Sequence, residues 1–140
     1  MAFKIILIMG LPGSGKSTLA SKLVSLIGAT ALNADEVRRR SNDWDFTLEG
    51  RKRQADRMRN LSESIIKKNS HVVADFVCPT PETRKSFKAD IVIWLDTIKK
   101  GRYEDTNKMF VSPRKFDFRV TEKNAEKWDK IISNKIKEIL

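Results

Sequence analysis

Gly10-Leu11-Pro12-Gly13-Ser14-Gly15-Lys16-Ser17 meets the pattern G-x-x-x-x-G-K-[ST] at every fixed position, and Thr18 extends it. Glycines at these places let successive backbone N–H groups curl around a phosphate without Cβ clashes. The helix that follows adds the positive end of its dipole. A chance glycine-rich turn could carry the same letters, but the flanking sequence separates the two. Lys4–Met9 is an aliphatic run that reads as a strand buried on both faces of a parallel sheet. Gly15–Ile27 follows, with Leu19, Leu23, Leu26 and Ile27 at helical spacing. Strand, loop and helix in that order make the stretch Gly10–Thr18 a phosphate cradle. Lys16 is expected to reach the β- and γ-phosphates of ATP, and Ser17 to hold Mg²⁺ through its hydroxyl.

Outward from the loop, strands and helices alternate. Thr30–Asn33 reads as a second strand and Leu48–Lys68 as a helix with the apolar stripe Ala55, Met58, Leu61 and Ile65. His71–Val77 and Asp90–Leu95 read as strands with a short helix, Pro81–Phe87, between them. Phe116–Val120 is a fifth strand candidate. Thr121–Leu140 closes the chain as an amphipathic helix carrying Ala125, Trp128, Ile132, Ile136 and Ile139 on one face. The expected fold class is α/β: a P-loop NTPase fold with a five-stranded, mostly parallel sheet, helices on both faces, and a nucleoside-kinase-like layout. With no repeat, low-complexity tract or linker, residues 1–140 read as a single kinase domain. The polar stretch Lys99–Lys115 has no periodicity. It could be a short mobile lid or a plain surface loop.

The composition narrows the function classes. Apolar residues make up 40% and charged residues 33% of the 140-residue chain, an ordinary globular balance. No apolar run is long enough for a membrane span. Met1–Gly10 lacks a small-residue cleavage site and reads as the first strand rather than a signal segment. The lone cysteine, Cys78, has no internal partner and fits a reducing, cytoplasmic setting. The formal net charge of +10 points to an anionic partner, either a polynucleotide or small phosphorylated molecules. A guanine-reading Asn-Lys-x-Asp is absent, because Asn107-Lys108 runs into Met109-Phe110. A nucleotide or metabolite kinase is therefore expected over a GTPase.

Asn33-Ala34-Asp35-Glu36-Val37-Arg38 lies just past the second strand, at the carboxyl edge where open α/β sheets bind ligands. Asp35 there can accept the proton of an acceptor hydroxyl, or simply complement a helix dipole. Arg38, one helical turn on, can clamp an anion. At about 100° per residue, Arg51 and Gln54 share a helix side with Met58, Leu61 and Ile65 and so face the interior or a cleft. An inward arginine without an anion is costly, which favours a ligand role. Two acids end strands, Asp75 and Asp96, and either could meet Mg²⁺ through water; Asp75 is preferred as nearer the acceptor segment. Cys78 shows no signal of thiol chemistry, and His71, the only histidine, reads as a surface residue.

These segments resemble the adenylylsulfate kinases, which phosphorylate the 3′-hydroxyl of adenosine 5′-phosphosulfate. That family's loop G-L-x-x-S-G-K-S-T is similar to Gly10–Thr18, and its D-G-D-N-x-R is similar to Asn33–Arg38, with Asn33 in place of the first acid. Phe46-Thr47, Gly50-Arg51 and Gln54 follow the spacing of the family's Phe-Ser, Asp-Arg and Asn. Val77-Cys78-Pro79 and Arg84 look similar to its Ile-Ser-Pro segment and later arginine, and the likeness fades after Leu95. The resemblance implies ATP and Mg²⁺, adenylylsulfate as acceptor, and a homodimer as an option. By it, Phe46, flanked by Trp44, stacks on adenine, where a core plug is the other reading. Arg38 and Arg51 grip the phosphosulfate or ribose, Gln54 bonds nearby, and Cys78 lies in the acceptor pocket. Lys100-Gly101-Arg102-Tyr103 is a remnant of the family's lid, and Arg102 and Lys108 are either lid cations or a solvated basic loop. Two other readings stand beside this one: a kinase of a polynucleotide end, modified base or other hydroxyl metabolite, and a nucleotide-binding module without turnover.

Overall fold

A computed structural model of the chain describes residues 2–140. The elements in order are β1 (Ile5–Met9), α1 (Lys16–Ile27), β2 (Ala29–Asn33), α2 (Ala34–Ser41), α3 (Leu48–Lys67) and β3 (His71–Asp75). They continue as α4 (Pro81–Phe87), β4 (Ile91–Leu95), α5 (Glu104–Met109), β5 (Phe118–Val120) and α6 (Ala125–Ile139). The strands form one sheet in the order β2-β3-β1-β4-β5, and every pairing is parallel. This is the expected α/β architecture, with no antiparallel strand among the described residues.

The aliphatic run of β1 is explained by its place at the centre of the sheet. All five of its residues are buried, and they alternate between two cores. Ile5, Leu7 and Met9 pack with Val37 of α2, Ala55 and Met58 of α3 and Phe87 of α4. Ile6 and Ile8 pack on the other face with Leu19 and Leu23 of α1 and Ile132 and Ile136 of α6. β2, at the edge, is the least covered strand and has the most polar sequence. Among the described residues, no helix is long and apolar enough to cross a membrane.

Several expectations need correction. His71 is not a surface residue. It opens β3, is buried, and its Nδ1 accepts the Lys4 N–H at 2.9 Å, because the segment entering β1 folds over that end of the sheet. The stripe on α3 runs through Ser62, fully buried, and leaves Leu61 exposed, since the helix meets the sheet along a narrower line than the apolar residues span. Ile139 on α6 is likewise exposed beyond the edge of α1. β3 stops at Asp75, not Val77, because its partner β2 ends in register at Asn33. α2 is visible in the sequence only as a possible helix start at Asp35, and α5 is not visible at all. α5 falls inside the aperiodic stretch 99–115 and is only six residues long.

β1 has β3 on one side and β4 on the other, so the chain leaves it in one direction and returns in the other. Ligands bind in the crevice that opens outside the carboxyl ends of the strands at such a switch. The register brings Ile8, Asp75 and Asn33 level there, at the ends of β1, β3 and β2.

Candidate active site

The loop between β1 and α1 is shaped by close approach. A Cβ on Gly10 would lie 2.7 Å from the Leu95 carbonyl oxygen and 2.8 Å from Ser14 Oγ, so no larger residue fits. Gly13 and Gly15 adopt φ of 86° and 103°, the left-handed region. The Ser14 carbonyl accepts from Thr97 Oγ1 at 2.8 Å, which ties the loop to the end of β4. Pro12, Gly13, Gly15, Lys16 and Ser17 face a cleft of about 900 Å³. Gly10 and Leu11 are buried behind it, while Ser14 and Thr18 face a second, smaller cavity. Lys16 folds its Nζ back onto the Leu11 carbonyl at 3.0 Å. Burial pushes its ammonium down to about 8, against the pull of Asp75 and Asp35.

Asp75 faces Lys16 across the cleft floor. Its carboxyl oxygens accept from Asn33 Nδ2 at 3.2 and 3.1 Å, and burial pushes its pKa up to about 6. Asn33 also caps α2, its Oδ1 accepting from Glu36 N at 3.1 Å. The Asn33 side-chain amide thus has two tasks. Its N-cap spacing to Glu36 was the signal available in the sequence. Asp35, exposed on the first turn of α2, also lines the cleft. Asp96 does not. It pairs with Arg119 at 2.5 Å on the far side of β4.

Ser17 and Asp75 are the residues that could hold Mg²⁺. Among the described residues no cluster of three His, Cys, Asp or Glu side chains forms a cage. One hydroxyl and one carboxylate suit an ion that keeps its waters and takes further oxygens from substrate phosphates. Asp75 yields a signed prediction. With a raised pKa, its neutral form favours the fold, so that stability is present below about pH 4 and lost as pH rises through about 6. The charged form needed beside a cation is lost in the opposite direction. The kcat/KM for ATP should therefore fall as pH drops through about 6 in the free protein. Asp75→Asn should flatten that limb, lower turnover, and raise Tm at pH 8.

The opposite wall carries two arginines. Arg38 and Arg51 are 3% and 8% exposed, and neither forms an ion pair among the described residues. Arg38 Nη1 donates to the carbonyls of Asp43 and Asp45 at 3.1 and 3.2 Å. Arg51 Nη2 donates to Thr106 Oγ1 of α5 at 2.7 Å, and its Nε to the Phe46 carbonyl at 3.4 Å. Both guanidiniums lie against the Phe46 ring, 4.5 and 5.0 Å from its centroid. Phe46 is 48% exposed and lines the cleft, so it is no core plug. Burial and the neighbouring Arg38 push Arg51 down to about 10.

Other expected residues have different places. Gln54 lines the cleft, but its amide is engaged, donating to the Ala34 carbonyl at 3.0 Å and accepting from Arg57 at 2.7 Å. The Cys78 thiol is buried and pushed up to about 12, so the residue offers wall rather than chemistry. Arg84 braces that wall from behind through the carbonyls of Cys78, Pro79 and Val111. Arg102 lines the cleft, whereas Lys108 does not. Tyr103 of the expected lid segment lines it as well, and so do Arg39 and Thr106, for which the sequence suggests no role. No pattern marks them, since they come from segments brought together by the fold.

On the other side of the loop, Ser14, Thr18, Leu95, Thr97, Lys123 and Trp128 line a cavity of about 180 Å³. Ser14 Oγ and Trp128 Nε1 are buried there without hydrogen-bond partners. A flat heterocycle with polar edges would fit between α1 and α6, next to the phosphate loop.

A phosphate loop on a parallel sheet with this strand order defines a P-loop kinase fold, and solved structures of that class share it. APS kinase CysC of Mycobacterium tuberculosis, in complex with AMPPNP and APS, superposes with a TM-score of 0.82 at 17% identity, over 97% of this chain and 98% of that one. Shikimate kinase of Acinetobacter baumannii, in complex with shikimate, gives 0.67 at 18% identity over 97% and 94% of the two chains. A gluconokinase of Sinorhizobium meliloti 1021 gives 0.64 at 15% identity over 99% and 95%. No curated protein matches the sequence. The family model described as an AAA domain matches residues 5–89, more than half of the chain, and the chain belongs to that family.

Proposed function

We propose that this protein is an ATP-dependent kinase that phosphorylates the 3′-hydroxyl of adenylylsulfate. The observation that carries the reading is the pair Arg38 and Arg51, buried without carboxylate partners and stacked on Phe46, across the cleft from Lys16. Two such cations on one ring suit a ligand that is both planar and anionic.

The small cavity beside Trp128 would take the base of ATP, leaving its phosphates along Gly13–Lys16. The acceptor oxygen attacks the γ-phosphorus, the bond to the bridging oxygen breaks, and ADP leaves. Asp35 accepts the hydroxyl proton. Lys16 and the loop N–H groups stabilise the transferring phosphoryl group. Ser17 and Asp75 would hold Mg²⁺, which would further neutralise the phosphate charge. The unit is residues 1–140, with 99–115 as a short lid that Thr106 ties to Arg51 and from which Arg102 faces the cleft.

The test is ADP release in a coupled assay with Mg²⁺-ATP, with and without adenylylsulfate. Release should depend on adenylylsulfate and fall at least about 100-fold in Asp35→Ala. The half-exposed Trp44 and Tyr103 beside Arg39 and Arg102 at the mouth favour one second reading, a polynucleotide end as acceptor. Release that depends on an oligonucleotide and not on adenylylsulfate would select it.

A further inference from the structure

We propose that Asp43, gripped by Arg53 and Arg57, is the positioning residue that holds the two cleft arginines and Phe46 in the geometry that binds an anion. The inference rests on the reading of Arg38 and Arg51 as an anion site. It concerns a cluster outside the cleft, since Asp43, Arg53 and Arg57 do not line it.

The loop Asn42–Thr47 between α2 and α3 has no apolar anchor. Its two large side chains, Trp44 and Phe46, are each 48% exposed. Polar contacts must therefore fix its shape. Arg57 Nη2 donates to Asp43 Oδ2 at 2.8 Å, and Arg53 donates to both carboxyl oxygens of Asp43 at 3.2 and 3.3 Å. Arg53 Nη2 also reaches Asp45 Oδ2 at 2.8 Å. Asp43 Oδ1 accepts the Asp45 N–H at 3.2 Å, and Asp45 Oδ1 accepts the Thr47 N–H and hydroxyl at 2.9 and 2.6 Å. The loop is also pressed onto α3 at Gly50, where a Cβ would lie 2.0 Å from the Asp45 carbonyl oxygen.

That bonded loop is the support of the site. The carbonyls of Asp43 and Asp45 are the hydrogen-bond acceptors of Arg38, and the carbonyl of Phe46 accepts from Arg51. In the other direction Arg57 bonds Gln54, and Gln54 bonds the Ala34 carbonyl beside Asp35. One carboxylate thus joins both arginines, the ring and the start of α2. An isolated exposed ion pair contributes little, but Asp43 is shared by two arginines and its side chain is only 16% exposed. Hydrogen bonds from Arg53 and Arg57 hold its carboxyl well below the usual carboxylate range, so the clamp stays charged at any working pH.

Charge and geometry make opposite predictions for Asp43→Asn, which makes the test sharp. Removing a negative charge near two arginines should by Coulomb's law tighten anion binding. Loosening the loop should weaken it. Inorganic sulfate is the probe, titrated into the full chain and followed by amide NMR. It reports on the site at Arg38, Phe46, Arg51 and Thr106, and on the phosphate loop at Gly13–Lys16 as an internal control. Affinity at the first group should fall about 10-fold in Asp43→Asn, with the loop unchanged. Arg57→Gln, which keeps the Arg53 contacts and so most of the fold, should give the same selective loss of about 3-fold.

Tighter or unchanged sulfate binding at the arginines would overturn the proposal, as would equal weakening at both places. If wild-type amides at Arg38 and Arg51 ignore sulfate while the phosphate loop responds, the anion-site reading itself fails. A wild-type response that neither variant alters removes only the role of Asp43.

Discussion

Lys16→Ala is expected to lower kcat by about 1,000-fold while leaving Tm within a few degrees of the wild type. The two halves of this result have one cause. In the free protein the half-buried Lys16 ammonium has its pKa pushed down to about 8 and a single carbonyl at 3.0 Å as hydrogen-bond partner. Asp75 and Asp35 attract it from nearby, but burial is the larger effect. A group disfavoured in its charged form by the fold stabilises that fold weakly. Its removal costs stability little. Under the proposed function a transferring phosphoryl group would supply the missing counter-charge, and the full interaction would then be made in the transition state. Steady-state kinetics with calorimetry on both proteins checks the prediction, and a large fall in Tm with a small fall in kcat would contradict it. The depressed pKa adds a pH signature. ATP affinity of the wild type should weaken as pH rises through about 8, and Lys16→Ala should lack that limb.

Arg51→Ala is expected to raise the acceptor KM by about 100-fold, with the KM for ATP changed less than about 3-fold. Arg51 has no carboxylate partner, sits beside a second arginine, and spends its donors on a threonine hydroxyl and a backbone carbonyl. An anion is the partner this arrangement lacks. Arg51→Lys keeps the charge but loses the planar fork that reaches Thr106 and Phe46 together. It should fall between the two, at about 10-fold. Initial rates against adenylylsulfate at saturating ATP, then the reverse, separate the substrates. Equal rises in both KM values would mean that the arginine supports the fold and not the acceptor. Because Thr106 belongs to α5, the same variant should loosen residues 104–109, which amide exchange would show.

The phosphate loop was legible in the sequence because all its determinants are local. Three closely spaced glycines, a lysine and a hydroxyl lie within nine residues, between a strand and a helix that the aliphatic pattern also reveals. The inward direction of Arg51 and Gln54 was legible for a similar reason, helical periodicity over one turn of α3. Their uses were not. Gln54 bonds a carbonyl 20 residues away in α2, and Arg51 a hydroxyl 55 residues away in α5. His71 was misread because a lone polar residue before a strand carries no mark of the segment that will cover it. α5 was missed because six residues cannot show a helical period.

By itself, then, the sequence determined the α/β class, the parallel sheet with its buried central strand, and the position of the P-loop. These rest on the period of apolar residues and on backbone freedom at glycines, which neighbouring residues dictate. Only the tertiary structure decided which acid belongs to the cleft, Asp75 and not Asp96. The strand order turns the end of β3 toward the phosphate loop and leaves the end of β4 to pair with Arg119. It also decided that Arg38 and Arg51 meet on one aromatic ring, because their mutual placement depends on a loop held by charges distant in sequence. The solvation of a charge, and hence its chemistry, is set by what packs against it from elsewhere in the chain.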